Sequence, residues 1–344
     1  MSLLKSLLTR ESIAAFLLIF CLSSVTAIHY TSVNLVTGEI VKQSCGKEDY
    51  NFQQLINNYL SYLDKDTVPG ALKSRPIIPI LLIVINKSVE RLPIGDIYGL
   101  TFFGLEFLTT MLLLYAVYLF SKKLNIEYSQ RLLAVAVFSA LTMSTLKDIP
   151  RVGDQLAPAL LFLGISLVAF NDKLPSVKTT LLFIPLFVLA TMARFDLALL
   201  ICLTIFLAGV FKKNSNQAIM SLLYGLVSVL TYMIIAKYLN LTNMTTKLLY
   251  PHTPDKLLFV DQIVRPSNWF ILGSFVNILI IVPFIYWKNF DAAEKATTVS
   301  FAMYNLSLLF VGHMSEYRGW LPICGLFLIL GIKYFFKSKS SASI

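Results

Sequence analysis

PSVKTTLLFIPLFVLATMARFDLALLICLTIFLAGVF, residues 175–211, decides the fold. It is among the longest apolar tracts in the chain, yet Arg194 and Asp196 stand near its middle. As one helix it would be about 55 Å long, far beyond the ~30 Å hydrocarbon core of a bilayer. Read as two helices, 175–193 and 196–211, each is slightly short and the charges fall at the turn between them. Neither Gly nor Pro marks that turn, so local turn chemistry does not decide. Charge parity does. With two helices and the N-terminus inside, every short inner link is basic: Lys122, Lys123 and Arg131, then Lys173 and Lys178, Lys212 and Lys213, Lys288 and Lys295, and the tail with Lys337 and Lys339. Basic residues hold to the inner side of membrane proteins. With one helix, Lys212, Lys213, Lys288 and Lys295 would turn outward.

The same reading extends along the chain. Spans are expected over 12–29, 97–120, 132–147, 156–170, 175–193, 196–211, 218–238, 269–287, 296–313 and 320–336, each an apolar run near the ~20 residues that cross a bilayer. Ile77–Ile85 is too brief to cross and contains Pro79, so it reads as a re-entrant or interfacial helix. The fold class is an all-α polytopic membrane protein. About ten transmembrane helices and a surface or re-entrant helix form one integral domain over 1–344, with a long first outer loop over 30–96. Residues 1–27 have a basic start, an apolar core and a small-residue ending, which fits either an uncleaved first span or a cleavable signal peptide.

Composition agrees. Hydrophobic residues make up 56% of the 344 and charged residues only 14%. The net charge of +10 would suit nucleic acid, but the basic residues are spent marking membrane sides, so no nucleic acid is expected. The four cysteines have no paired spacing, and neither an intramolecular disulfide nor a metal cluster is expected. Most of the 19 acidic residues, and His29, His252 and His313, fall on the outer side or at its edge. Any chemistry is therefore expected to face outward.

The outer groups carry the functional candidates. In the first outer loop, Glu48-Asp49 precedes the helical-looking stretch NFQQLINNYLSYL. A carboxylate held there serves as general base on an incoming hydroxyl, or merely favours a helix N-terminus. Asp64-Lys65-Asp66 is a carboxylate pair able to hold a divalent metal, Mg or Mn, against phosphates; its plainer reading is a solvated turn before Pro69-Gly70. Three short outer links each carry an arginine and a carboxylate: Arg151 with Asp154, Arg194 with Asp196, and Arg318 with Glu316 near His313. Guanidinium is planar, permanently charged and bidentate, which suits phosphate. The alternative is a set of interfacial ion pairs tying helix ends. Residues two apart on a helix do not face each other, so Arg194 and Asp196 need not be mutual partners. Glu106, inside the span 97–120, calls for a polar partner in the bundle.

Together these features resemble the GT-C superfamily, the multi-span glycosyltransferases that use polyprenyl-phosphate sugar donors. The resemblance covers most of the chain through layout and short motifs. These are Glu48-Asp49 in a long first outer loop, Arg75-Pro76-Ile77-Ile78-Pro79, Gly153-Asp154-Gln155, Ala193-Arg194-Phe195-Asp196, and Glu316-Tyr317-Arg318 before the last span. It implies that Asp49, with Glu48 beside it, is the catalytic base or positions the acceptor. It implies that Arg194, Arg318, Arg151 and Arg75 bind the lipid-linked phosphate, supported by Asp154, Asp196, Glu316 and His313. The implied activity is an inverting sugar transfer to a glycan, lipid or protein acceptor, serving cell-envelope polysaccharide synthesis. The location read from the basic links is a bacterial inner membrane with both termini cytoplasmic. No cofactor is fixed by the sequence, and a divalent metal, Mg or Mn, at Asp64 and Asp66 stays open. The sequence is short for such an enzyme. Two other classes fit the composition: an O-antigen or exopolysaccharide polymerase-like protein, and a transporter or flippase for lipid or polysaccharide precursors. The first more often places its large outer loop late in the chain. The second tends to show internal repeats and broken helices, and no repeat is seen here.

Overall fold

The computed structural model describes residues 10–36, 41–42, 49–50, 75–91, 97–145, 155–171, 177–238, 281–311 and 317–337, with side chains over 10–29, 75–91, 100–143, 155–171, 180–238, 281–306 and 322–336. These residues are mostly helical, joined by short turns, with two two-residue strands, Val41–Lys42 and Asp49–Tyr50, which pair antiparallel with Val41 opposite Tyr50. The helices are α1 (Arg10–Val36), α2 (Ile77–Val89), α3 (Ile97–Lys123) and α4 (Tyr128–Thr145). Next come α5 (Leu156–Gly164, running on as a π-helical segment over Ile165–Ala169), α6 (Val177–Ala193), α7 (Phe195–Phe211) and α8 (Ser215–Tyr238). A short α9 (Ile281–Tyr286), α10 (Ala292–Val311) and α11 (Tyr317–Lys337) complete the set.

Arg10–His29, Leu100–Lys123 and Ser215–Tyr238 are long and apolar enough to cross a membrane. Ile77–Val89, Leu156–Ala169, Thr180–Ala193, Phe195–Phe211 and Pro322–Phe336 are shorter apolar helices. α2 is a 13-residue helix, about 20 Å long and too short to cross, as the sequence indicates. Its Pro79 sits in the first turn, where a missing N–H costs no helical bond. The tract 175–211 is indeed two helices. Arg194 alone is extended, at φ −163° and ψ 112°. Its N–H closes α6 on Ala190 O at 2.8 Å, and its carbonyl opens α7 by accepting from Ala198 N at 3.1 Å. One residue thus ends one helix and starts the next.

The helices alternate in direction, and side-chain bonds fix which ends meet. At one end Tyr128 Oη donates to Glu11 O at 2.8 Å, Phe120 meets Phe170 edge-on at 5.6 Å, and Lys212 Nζ donates to Ala169 O at 3.1 Å. That end is basic, holding Arg10, Lys122, Lys123, Arg131, Lys212, Lys213, Lys288, Lys295 and Lys333. Two of its turns are Schellman motifs, with Asn125 (φ 57°) and Lys213 (φ 54°) in the left-handed region. In them Ile126 N reaches Ser121 O and Asn214 N reaches Gly209 O, which satisfies carbonyls the helix ends would orphan.

The interior is aromatic and close-packed. Phe162 on α5 contacts Phe120, Phe138 and Phe301, with ring centroids 5.4, 5.8 and 6.5 Å away. Gly325 on α11 is required by that packing: a Cβ there would lie 2.0 Å from Phe138 Cε2. Thr204 of α7 and Ser300 of α10 share a hydrogen bond at 2.6 Å halfway along their seam. Such short polar contacts tie helices where apolar burial alone does not discriminate one face from another.

Candidate functional site

The end opposite the basic one gathers the charged residues of the 175–211 turn. Arg194 leaves the helical path, so its side chain turns back over the first turn of α7 and meets Asp196. The pair is bidentate: Arg194 Nε donates to Asp196 Oδ1 at 3.1 Å, and Nη2 donates to Oδ2 in a short contact. The two residues, which helical spacing did not require to be partners, are partners. The spacing argument assumed both lie on one helix, and Arg194 does not. Arg194 also makes no side-chain cap bond to α7, while Asp196 places a negative charge in the first turn, where the helix dipole favours it.

Tyr304 of α10 completes the arrangement. Its hydroxyl donates to Asp196 Oδ2 at 2.9 Å and accepts from Arg194 Nη2 at 3.0 Å. Tyr304 is 7% exposed, whereas the Asp196 side chain keeps 46% exposure and Arg194 17%. A buried phenol therefore anchors an ion pair that opens to the surface. Arg75, which immediately precedes α2, lies close enough for its charge to act on both Asp196 and Tyr304. α2 reaches this point because it packs across α3 and touches α6, whose last residue is Ala193. Arg75, Arg194 and Asp196 together carry a charge of +1, so the cluster favours an anion.

A second polar pair lies at the same end. Glu106 of α3 is 1% exposed, and its partner, which the sequence did not identify, is Gln155: Gln155 Nε2 donates to Glu106 Oε2 at 2.7 Å. Beside it, Thr101 Oγ1 donates to Asn86 Oδ1 at 3.1 Å and Asn86 Nδ2 to Glu90 Oε1 at 2.6 Å, fastening α2 to α3. At the basic end the buried charges pair differently. Asp291 and Glu294 form a reciprocal capping box at the start of α10, with Asp291 N to Glu294 Oε2 at 2.9 Å and Glu294 N to Asp291 Oδ1 at 2.8 Å. Glu294 also takes a short contact from Lys333 Nζ and a 2.7 Å bond from Tyr334 Oη.

Of the sequence-predicted site residues, Arg75, Arg194 and Asp196 are brought together. Asp49 is described as backbone in the second short strand, opposite Lys42, and Arg318 as backbone in the first turn of α11. Glu48, Asp64, Asp66, Arg151, Asp154, His313 and Glu316 lie outside the described residues, as does the helix expected over 51–63. Among the described residues no group of three or more His, Cys, Asp or Glu converges as for a metal ion. Cys21 and Cys202 are free thiols, and Cys45 is outside the described residues. Tyr304 and Gln155 are the residues that sequence reasoning missed as participants. A lone tyrosine in an apolar helix carries no signal of its partner 108 residues away. Gln155 had a weak one, lying in the link motif Gly153-Asp154-Gln155.

No family model matches this chain, and no curated protein matches it.

Proposed function

We propose that this protein is an integral membrane glycosyltransferase that moves a sugar from a polyprenyl-phosphate donor to an acceptor on the outer face of the membrane. The observation that carries the reading is the convergence of Arg75 and Arg194 around Asp196 and Tyr304 at one end of the bundle. These residues come from the segment before α2, the α6–α7 turn and α10, and they sit opposite the basic end. A guanidinium group held by one carboxylate and one phenol, with a second guanidinium close by, is a phosphate-binding arrangement with its geometry set in advance. The same placement favours the ten-span topology, with the basic end and both termini cytoplasmic in a bacterial inner membrane.

In this reading the acceptor hydroxyl gives its proton to Asp49, with Glu48 beside it, and its oxygen attacks the anomeric carbon. The bond from that carbon to the lipid phosphate oxygen breaks, and the configuration inverts. The leaving polyprenyl phosphate carries the negative charge, which Arg75 and Arg194 stabilise, with Arg151 and Arg318 contributing from neighbouring links. Asp196 and Tyr304 hold the Arg194 plane, so the guanidinium need not reorganise as charge develops. Asp154, Glu316 and His313 support the arginines. Asp64 and Asp66 are the residues that would hold a divalent metal if the reaction uses one.

The test is sugar transfer by the purified full-length protein in lipid, supplied with a panel of polyprenyl-phosphate sugars, with and without Mg or Mn. Wild type is expected to transfer sugar, and Asp49→Asn to lose about 100-fold or more, the low end of a general base's contribution. Transfer that survives Asp49→Asn unchanged removes the base assignment. Passage of the lipid-linked precursor across liposomes with no sugar consumed replaces the enzyme with a transporter.

A further inference from the structure

Arg131 is held in a way that membrane topology alone does not need. A basic residue marks one side of a membrane protein by its charge, and exposed lysines such as Lys122 and Lys123 supply that charge without ordered contacts. Arg131, in the first turn of α4, is instead held against two aromatic rings. Its guanidinium carbon lies 5.5 Å from the ring centre of Tyr118 on α3 and 5.6 Å from that of Tyr128 on α4, and its Nη1 donates to Tyr118 Oη at 3.5 Å. Tyr128 is itself fixed, because its hydroxyl donates to Glu11 O at 2.8 Å. The arginine thus stands where α1, α3 and α4 meet at the basic end.

Most of the hydrogen-bonding capacity of this guanidinium is unused. Nε is buried without a partner, and Nη2 is not buried and makes no hydrogen bond among the described residues. Nor does Arg131 form an ion pair among them. Carboxylates are at hand, since Glu11 and Glu127 belong to the same corner, but both are exposed and neither pairs with it. Arg194, at the opposite end, is by contrast bidentate with Asp196. Four cations, Arg10, Lys122, Lys123 and Arg131, stand at these helix ends against the two carboxylates, so the corner attracts an anion. Apolar surface adjoins it. Tyr115, about one turn deeper along α3 than Tyr118, is 47% exposed, and Ile13, about one turn along α1 from Arg10, is 43% exposed. Cations at headgroup level with exposed apolar residues beneath them suit a phospholipid, whose phosphate takes the guanidinium and whose chains lie along the helices. A soluble phosphate would use the cations and leave the apolar residues bare.

We infer that the tyrosine-held guanidinium of Arg131 binds the phosphate of an anionic phospholipid in the leaflet at the basic end. Arg10, Lys122 and Lys123 select lipids of net negative charge and disfavour those whose headgroup also carries a cation. The inference rests on the membrane fold and is independent of the reaction proposed for the opposite end. The competing role for Arg131 is a cation–aromatic tie between α3 and α4.

Binding by the full-length protein in a neutral detergent separates these roles, measured by native mass spectrometry with three probes: phosphatidylglycerol, phosphatidylcholine and glycerol phosphate. Wild type is expected to bind phosphatidylglycerol about tenfold more tightly than phosphatidylcholine, with no displacement by glycerol phosphate. Arg131→Gln should weaken phosphatidylglycerol about tenfold and leave phosphatidylcholine within about twofold. Arg131→Lys keeps the charge but loses the planar fork, and should still weaken phosphatidylglycerol about threefold or more. Lys122→Gln and Lys123→Gln should each cost no more than about twofold. Arginine variants that weaken both lipids equally, or neither, overturn the site and leave the tie. Equal losses for Arg131→Gln and for the two lysine variants overturn it in favour of diffuse charge. Displacement of phosphatidylglycerol by glycerol phosphate overturns it in favour of a soluble phosphate. Equal binding of the two lipids by wild type overturns it without any variant having to fold.

Discussion

The two ends of this helical bundle handle buried polar groups differently. At the basic end most bonds run to backbone: two Schellman turns, a capping box closed by Asp291 and Glu294, and Lys212 and Gln217 donating to carbonyls of the π-helical segment 43 and 48 residues back. At the opposite end the bonds run between side chains. Arg194 and Asp196 meet Tyr304 about 110 residues on, and Glu106 meets Gln155 across 49 residues. The backbone bonds close helices and fasten their ends. The side-chain bonds assemble a charged cluster whose ion pair opens to the surface. Substitutions that break these bonds at the basic end should therefore move stability, and those at the opposite end should move ligand binding and transfer.

The largest effect is expected where the basic end pairs side chain with side chain. Lys333→Met leaves the buried Glu294 carboxylate without its cation, and removing one partner of a buried pair costs about 3–5 kcal/mol. Melting in detergent should fall steeply, and Glu294→Gln in the same background should recover much of the loss. Full recovery of transfer once Lys333→Met is refolded at low temperature would sharpen the comparison; specific loss of lipid binding would break it. Gly325→Ala, in the packed interior between the ends, forces a methyl onto Phe138 and should cost about 1–3 kcal/mol with no change in lipid affinity.

Tyr304→Phe is smaller in stability and larger in function. It deletes the hydroxyl that bridges Arg194 and Asp196, which removes a net contribution of about 1 kcal/mol, while transfer should fall about tenfold because the guanidinium loses its orientation. Equal losses in melting and in transfer would make Tyr304 a structural anchor only. The smallest effect is a gain. Lys213→Gly relieves a left-handed residue that carries a Cβ and should add up to about 1 kcal/mol, provided the lost charge does not alter orientation in the membrane.

These contrasts also explain how much was legible in the sequence. The turn at 193–196 follows from length and charge parity alone, and the structure puts it there with a single extended residue. Asp291-Ala-Ala-Glu294 is a capping-box pattern readable from four residues. The short helix around Pro79 was legible because the run is too brief to cross. The pairing of Arg194 with Asp196 was left open by the sequence. Helical spacing rules apply only within a helix, and no residue type at the turn announces that Arg194 will be extended. Tyr304 was out of reach for a different reason. Its helix is apolar, its partners lie on another helix, and which of its faces meets α7 is set by packing that no local pattern encodes. Gln155 was quoted as part of a link motif, but its pairing with Glu106 depends on how α3 and α5 dock.

The central claim is that the end carrying Arg194 binds the phosphate of a polyprenyl lipid. Its most direct test is the affinity of the full-length protein for undecaprenyl phosphate, measured for wild type, Arg75→Gln, Arg194→Gln and the double variant. The account predicts a loss of about tenfold for each single change and a larger loss for the double, with melting temperatures kept near wild type. A double variant that binds the lipid as tightly as wild type would contradict it.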